Sequence, residues 1–237
     1  MCQNCNILLV EARSANYSDL MTAVDRARIM GAKIISNSYG SSEFSSETSF
    51  DSHFNYPGVM FLFSSGDSGY GTSYPAASRY VTAVGGTSLF LNPDNSYQSE
   101  VAWDGAGSGC SLYELKPVWQ KDTLCAKRTI ADVSADADPN TGAAVYDSFG
   151  YAGINGWLQV GGTSLASPLV AGIYALAGGV PNTTVGASLL YNRVNYSSNF
   201  NDIISGSNGS CGTYLCTSLL GYDGPTGLGT PKGTSAF

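Results

Sequence analysis

The sequence predicts an α/β protein with a mostly parallel sheet covered on both faces by helices, and two observations carry that prediction. Short, nearly continuous apolar runs recur at Asn6 to Val10, Ala32 to Ser36, Val59 to Phe63 and Tyr80 to Val84, as expected of strands buried on both faces. Between and after them lie stretches with helical period. The 237 residues hold no Pro/Gly/Ser-rich linker, which predicts one domain with one sizeable core.

In chain order, Asn6 to Val10 reads as the first strand. Ser18 to Met30 follows as an amphipathic helix with apolar Leu20, Met21, Val24 and Ile29, and Gly31 lies just past its end. Three further strands come next. Leu91 to Asp122 reads as loop, with turn signals at Asn92-Pro93-Asp94-Asn95 and at Gly105 to Gly109. Leu169, Val170, Ile173 and Leu176 give a second helix, ended by Gly178-Gly179 and Pro181. The C-terminal portion is irregular.

Charged residues make up 12% of the chain, about half the usual share, and the net charge is −7. No basic cluster exists to bind phosphates, so nucleic acid is excluded as a partner; no apolar run is long enough for a membrane-spanning helix. The first residues, MCQNCNILLVEA, lack the charged leader and small-residue cleavage site of a signal peptide.

The six cysteines fall into close pairs, Cys2 with Cys5, Cys110 with Cys125 and Cys211 with Cys216. Nearest-neighbour pairing is the simplest of many connectivities and suits an exported protein. A redox or zinc reading of Cys2 and Cys5 lacks the second CxxC or thioredoxin-like pattern it needs. Four Asn-x-Ser/Thr sites, at Asn16, Asn182, Asn195 and Asn208, permit glycosylation.

VGGTSL occurs twice, at Val84 to Leu89 and at Val160 to Leu165. The first copy runs on into Phe90-Leu91-Asn92-Pro93, which places Ser88 at a strand end. The second is followed by Ala166-Ser167-Pro168 and the second helix, so Ser164 opens that helix, with Pro168 expected in its first turn. Free N–H groups and the positive dipole end there can activate a serine and stabilise an oxyanion. A plain N-cap role is the alternative.

The runs GGTSLASPLVAG, SSGDSGYG at Ser64 to Gly71, YVTAVGGTSL, NSYG at Asn37 to Gly40 and ADVSADADP at Ala131 to Pro139 resemble the sedolisin family of serine-carboxyl peptidases. The likeness extends in order over the chain, to YDGPTGLGTP near its end. It implies a subtilisin-like three-layer fold with a mostly parallel sheet flanked by helices. It further implies a secreted, monomeric endopeptidase acting on peptide or protein substrates through an acyl-enzyme at Ser164. Asp67 of SGDSG would stand in the oxyanion hole, where a carboxyl donates only when protonated. Backbone edges at Ser38, Tyr39 and Gly40 and at Ser64, Ser65 and Gly66 would take an extended peptide. A Ca²⁺ site near the C-terminus would use Asp202 and Asp223 with carbonyls of Ile203, Leu219 and Gly221; Leu219 replaces a glycine of the pattern.

A histidine base of the subtilisin kind is not expected, because His53 alone is present and lies near a turn. The resemblance instead implies a Glu and an Asp four residues apart on a helix preceding the strand matched by Asn6 to Val10. Only Met1 to Cys5 precede that strand here, so the N-terminal part of the domain, with the acid pair, is expected to be missing. Glu47 and Asp51 have the spacing but the wrong order, in a segment read as exposed, and Glu11 and Asp19 fail on order too. The competing expectation is a non-catalytic, peptidase-like fragment or peptide-binding module.

Overall fold

In the computed structural model, residues 2–151, 153–192 and 196–237 are described. The helix α1 (Tyr17–Ile29) ends at Met30 and Gly31, whose φ of +99° is the left-handed turn that glycine takes without strain. Then come β1 (Ile34–Asn37), β2 (Ser41–Ser42), a 3₁₀ segment Glu47–His53, β3 (Met60–Ser64), β4 (Ser73–Tyr74) and β5 (Thr82–Leu91). The middle is less loop-like than expected, since β6 (Tyr97–Ala102) and β7 (Gly109–Leu115) fall in it; their apolar residues are interrupted by polar ones and give no apolar run to read. Next are β8 (Lys127–Ile130), β9 (Val133–Asp136), the hairpin β10 (Ala143–Tyr151) and β11 (Ile154–Val160), and α2 (Thr163–Leu176). Short helices α3 (Ser188–Tyr191) and α4 (Tyr196–Asn199) and the pair β12 (Phe200–Asn201) and β13 (Thr230–Pro231) complete the chain.

The central sheet is mostly parallel: β1, β3, β5 and β9 pair in parallel in that order, and β6 runs antiparallel along the far part of β5. Ser88 thus lies inside β5, opposite Val101, with its hydroxyl on Asp138, rather than at a strand end. Side chains alternate between the faces. Met60 and Leu62 join Val84, Val133, Val170 and Tyr174 under α2, whereas Phe61 and Phe63 join Met21, Val24 and Phe54 under α1 and the 3₁₀ segment. Each such buried apolar side chain is worth about 1.5–3 kcal/mol. A fully buried ion pair, Arg128 with Asp132 at 2.5 Å, clamps the β8–β9 junction, and the N–H of Ala83 on β5 donates to the same carboxylate.

Asn6 to Val10 is not a strand. Ile7 and Leu9 are 91% and 80% exposed, and among the described residues no neighbouring strand bonds this run. A strand forms only where a partner takes its N–H and C=O groups, and among the described residues β1 is bonded by β3 alone. All three expected disulfides are present, Cys2–Cys5, Cys110–Cys125 and Cys211–Cys216. Asn16 and Asn182 are exposed, while Asn208 is buried with its amide nitrogen on the Ala106 carbonyl and is closed to glycosylation; Asn195 lies outside the described residues.

Candidate active site

Beyond β3 the chain turns through Ser65 and Gly66 to Asp67. The loop 104–109 packs directly on this turn: a Cβ on Gly107 would sit 2.1 Å from the Ser65 carbonyl oxygen, and the Gly107 N–H donates to the Gly66 carbonyl at 2.9 Å. Such contact admits only glycine at 107. Asp67 points across to the start of α2, where its Oδ1 accepts the Thr163 N–H and the Thr163 hydroxyl, both at 2.7 Å. Asp67 therefore supplies one of the caps that a helix N-terminus lacks, although it is almost a hundred residues away in sequence. The N-cap itself is Gly162, with φ +84°, and a Cβ there would meet Asp67 Oδ2 at 2.7 Å.

Ser164 is the second residue of α2, so it is not the N-cap; its side chain is exposed over the cleft. Since α2 starts at Thr163, Pro168 lies beyond the first turn, a correction to its expected place. Lacking an N–H, Pro168 cannot serve the carbonyl four residues back, which is that of Ser164. Ser38 does so instead, its hydroxyl donating to the Ser164 carbonyl at 3.3 Å. Beneath, Ser36 and Ser167 hydroxyls meet at 3.0 Å and tie β1 to α2.

The result is one cleft of about 490 Å³. Of the expected residues, Ser38, Tyr39, Gly40, Ser64, Ser65, Gly66, Asp67 and Ser164 all line it. Sequence reasoning missed Ser42, Tyr70, Thr72, Gly107 and Thr163, which line it too. Gly107 carried a signal as part of a Gly-rich turn, and Tyr70 and Thr163 lie inside the SSGDSGYG and GGTSLASPLVAG runs. Tyr39 sets its ring edge-on against Phe63 at 5.5 Å, and burial raises its phenol well above the usual range.

His53 lies elsewhere, at the end of the 3₁₀ segment, with Nδ1 2.8 Å from Asp25 Oδ2. Asp67 is the single carboxylate lining the cleft among the described residues. Glu47 and Asp51 are 0% and 8% exposed, which corrects the reading of their segment as solvent-facing. Its serines face outward, while Phe50, Phe54 and both acids turn inward.

At the C-terminal end, Asp202 and Asp223 come to one loop. The Leu219 N–H donates to Asp223 Oδ2 at 3.0 Å and the Gly221 N–H to Asp202 Oδ2 at 2.9 Å, while Thr226 and Tyr196 bond the remaining oxygens. Asp223 is wholly buried, and neither acid belongs to an ion pair among the described residues. The N–H groups in use belong to the 218–219 and 220–221 peptides, so the Leu219 and Gly221 carbonyls lie in other peptide units. Two carboxylates without a cationic partner are the donor type a hard cation takes.

A mostly parallel sheet between helices, with a serine opening α2 and an aspartate reaching it from the end of β3, defines a subtilisin-like hydrolase scaffold. The profile of the subtilase family (Peptidase_S8) matches residues 1–188. The chain belongs to that family, and within it to the sedolisins, the serine-carboxyl peptidases. It is 34% identical to sedolisin of Pseudomonas sp. (strain 101) over 202 residues, 73% of this chain and 33% of the relative. Tripeptidyl-peptidase 1 of Bos taurus is 30% identical over 74% of this chain and 36% of its own length. The solved structure of Pseudomonas sedolisin complexed with two molecules of pseudo-iodotyrostatin superposes with a TM-score of 0.75 and 29% identity, over 94% of this chain and 69% of that one. The chain thus spans about a third of the length of the curated relatives it matches.

Proposed function

We propose that this chain carries the nucleophile half of a secreted, acid-acting serine endopeptidase. The observation that supports it most is the junction of Ser164 and Asp67 in one cleft, locked through Thr163. An extended peptide lies along the backbone of Ser38 to Gly40 and of Ser64 to Gly66 by strand addition. Ser164 Oγ attacks the scissile carbonyl carbon as a base removes its proton. The oxyanion develops beside the α2 N-terminus and a protonated Asp67, and collapses to an ester as the amine leaves with a proton; water then frees Ser164.

The base is the part this cleft does not supply. With no histidine and no second carboxylate lining it among the described residues, we place the base on a Glu/Asp pair outside them, in line with the fraction of the relatives that the chain spans. Disulfides support export. The test is the 237-residue chain at mildly acid pH with a peptide aldehyde, followed by intact mass and NMR for a hemiacetal, with Ser164→Ala as control. Binding without a covalent adduct is expected from the chain alone. An adduct with peptide cleavage would overturn the placement of the base, and no binding at all would overturn the cleft.

We also propose that Asp202 and Asp223, with carbonyls of Ile203, Leu219 and Gly221, hold Ca²⁺, which would fix the C-terminal loop. Calcium at about a hundred times its dissociation constant adds about 2.7 kcal/mol of stability. Thermal melts with calcium and with chelator should therefore differ by several degrees in the wild type and not in Asp223→Asn; equal melts for the wild type would sink the site.

A further inference from the structure

A second group of acids lies behind the cleft wall. Glu43 follows β2, Glu47 and Asp51 sit on the 3₁₀ segment, and Glu114 comes from β7. Glu47, Asp51 and Glu114 are 0%, 8% and 1% exposed. Glu47 feels the carboxyl groups of Glu43 and Asp51, and Glu114 those of Asp51, Glu47 and Glu43. No ion pair among the described residues involves any of the four. Oε1 of Glu47 and Oε1 of Glu114 are buried without a partner. Ionised carboxylates only accept, and these two buried oxygens meet no donor, so burial favours the protonated forms of Glu47 and Glu114.

This group holds the rim of the cleft. Glu43 accepts the hydroxyls of Thr72 and Ser111 and the Leu112 N–H, and Thr72 lines the cleft. Asp51 Oδ1 accepts the Tyr74 hydroxyl at 3.3 Å and the Ser78 hydroxyl at 2.6 Å. Tyr74 belongs to β4, which pairs with β2 through Ser41 with Tyr74 and Ser42 with Ser73. The acids thus sit on both attachments of the β2–β4 rim.

We propose that the protons held by Glu47, Asp51 and Glu114, packed beside Glu43, form a pH-sensitive latch: held in acid, they fasten residues 41–54 to β4 and β7, and their loss towards neutral and alkaline pH loosens that wall of the cleft. The latch is independent of Ser164 being a nucleophile.

Burial first, then the neighbouring carboxylates, pushes Glu47 and Glu114 up to about 8, and burial raises Asp51 too. The other groups facing the cluster do not cancel this. Tyr17 from α1 and Tyr74 from β4 are themselves raised and stay neutral donors; Arg79 favours the ionised form of Asp51, but burial outweighs it; His53 is turned to Asp25. An unfolded glutamate titrates near about 4.3. Between about 4 and 8 the folded chain therefore holds protons the unfolded chain lacks, and the stability they contribute, fully present below that window, falls as pH rises through it.

The experiment is thermal unfolding of the full chain from pH 4.5 to 8.5, wild type against the double variant Glu47→Gln, Glu114→Gln, which keeps shape and cannot ionise. The wild-type midpoint should fall by on the order of 5–10 °C, and most of that fall should vanish in the variant. Hydrogen exchange corrected for intrinsic rate should show residues 41–54 and 72–78 losing protection over the same window while α2 keeps it. A variant that tracks the wild type at every pH, or protection lost equally in α2, would overturn the latch. Should the variant not fold, ¹³C titration of the wild-type carboxyls decides: midpoints for Glu47 and Glu114 well above the usual range support the latch, and midpoints near about 4.3 refute it.

Discussion

Pro168 and Ser38 are the residues through which the nucleophile's backbone is held. A proline at the sixth position of α2 removes the one N–H that would bond the Ser164 carbonyl, and Ser38 from the loop after β1 supplies a hydroxyl in its place. The two positions are therefore coupled. Ser38→Ala should cost about 0.5–1.5 kcal/mol in the natural chain, since it leaves that carbonyl short of a donor. In a Pro168→Ala background the helix restores its own bond and the same change should cost little. A double-mutant cycle by urea unfolding measures this, with a coupling of at least about 0.5 kcal/mol expected. Additive losses would mean that Ser38 is placed by its own strand alone.

At the scale of elements, legibility followed the origin of the signal. The buried strands Met60–Ser64 and Thr82–Leu91 and the helices α1 and α2 announce themselves because burial of both sheet faces, or of one helical stripe, writes an apolar pattern into consecutive residues. The same pattern misled at Asn6 to Val10, where the apolar run exists but the pairing partner does not, and pairing is a property of two segments. It was silent at β6 and β7, whose strand character comes from the ladder with β5 and with β8 rather than from apolar side chains. The site divides similarly. Ser164 and Asp67 were legible from the motifs around them. The part of Thr163, whose hydroxyl and N–H both reach Asp67, was not, because it depends on two distant turns meeting. The burial of Glu47 and Asp51 was hidden by the serines beside them, which dominate the composition of the segment and face water.

The whole molecule is built on one sheet serving two cores, and that has a consequence for how it unfolds. Successive residues of β3 alternate between them: Met60 and Leu62 pack under α2, Phe61 and Phe63 under α1 and the 3₁₀ segment. Neither layer can be lost while the sheet stays intact, because each strand would then expose half its buried side chains. Phe54 packs its ring 5.2 Å from Phe63 and 5.7 Å from Phe61 in the lower layer, and Val170, on the inner face of α2, is fully buried in the upper one. Phe54→Ala should cost about 3–5 kcal/mol and Val170→Ala about 2 kcal/mol. At acid pH, where residues 41–54 are fastened, each should shift one shared transition: far-UV circular dichroism, which follows the backbone, and near-UV circular dichroism, which follows the aromatic-rich lower layer, should give coincident midpoints in both variants. Splitting of the two signals in either variant would mean that the layers unfold separately and that β3 does not couple them.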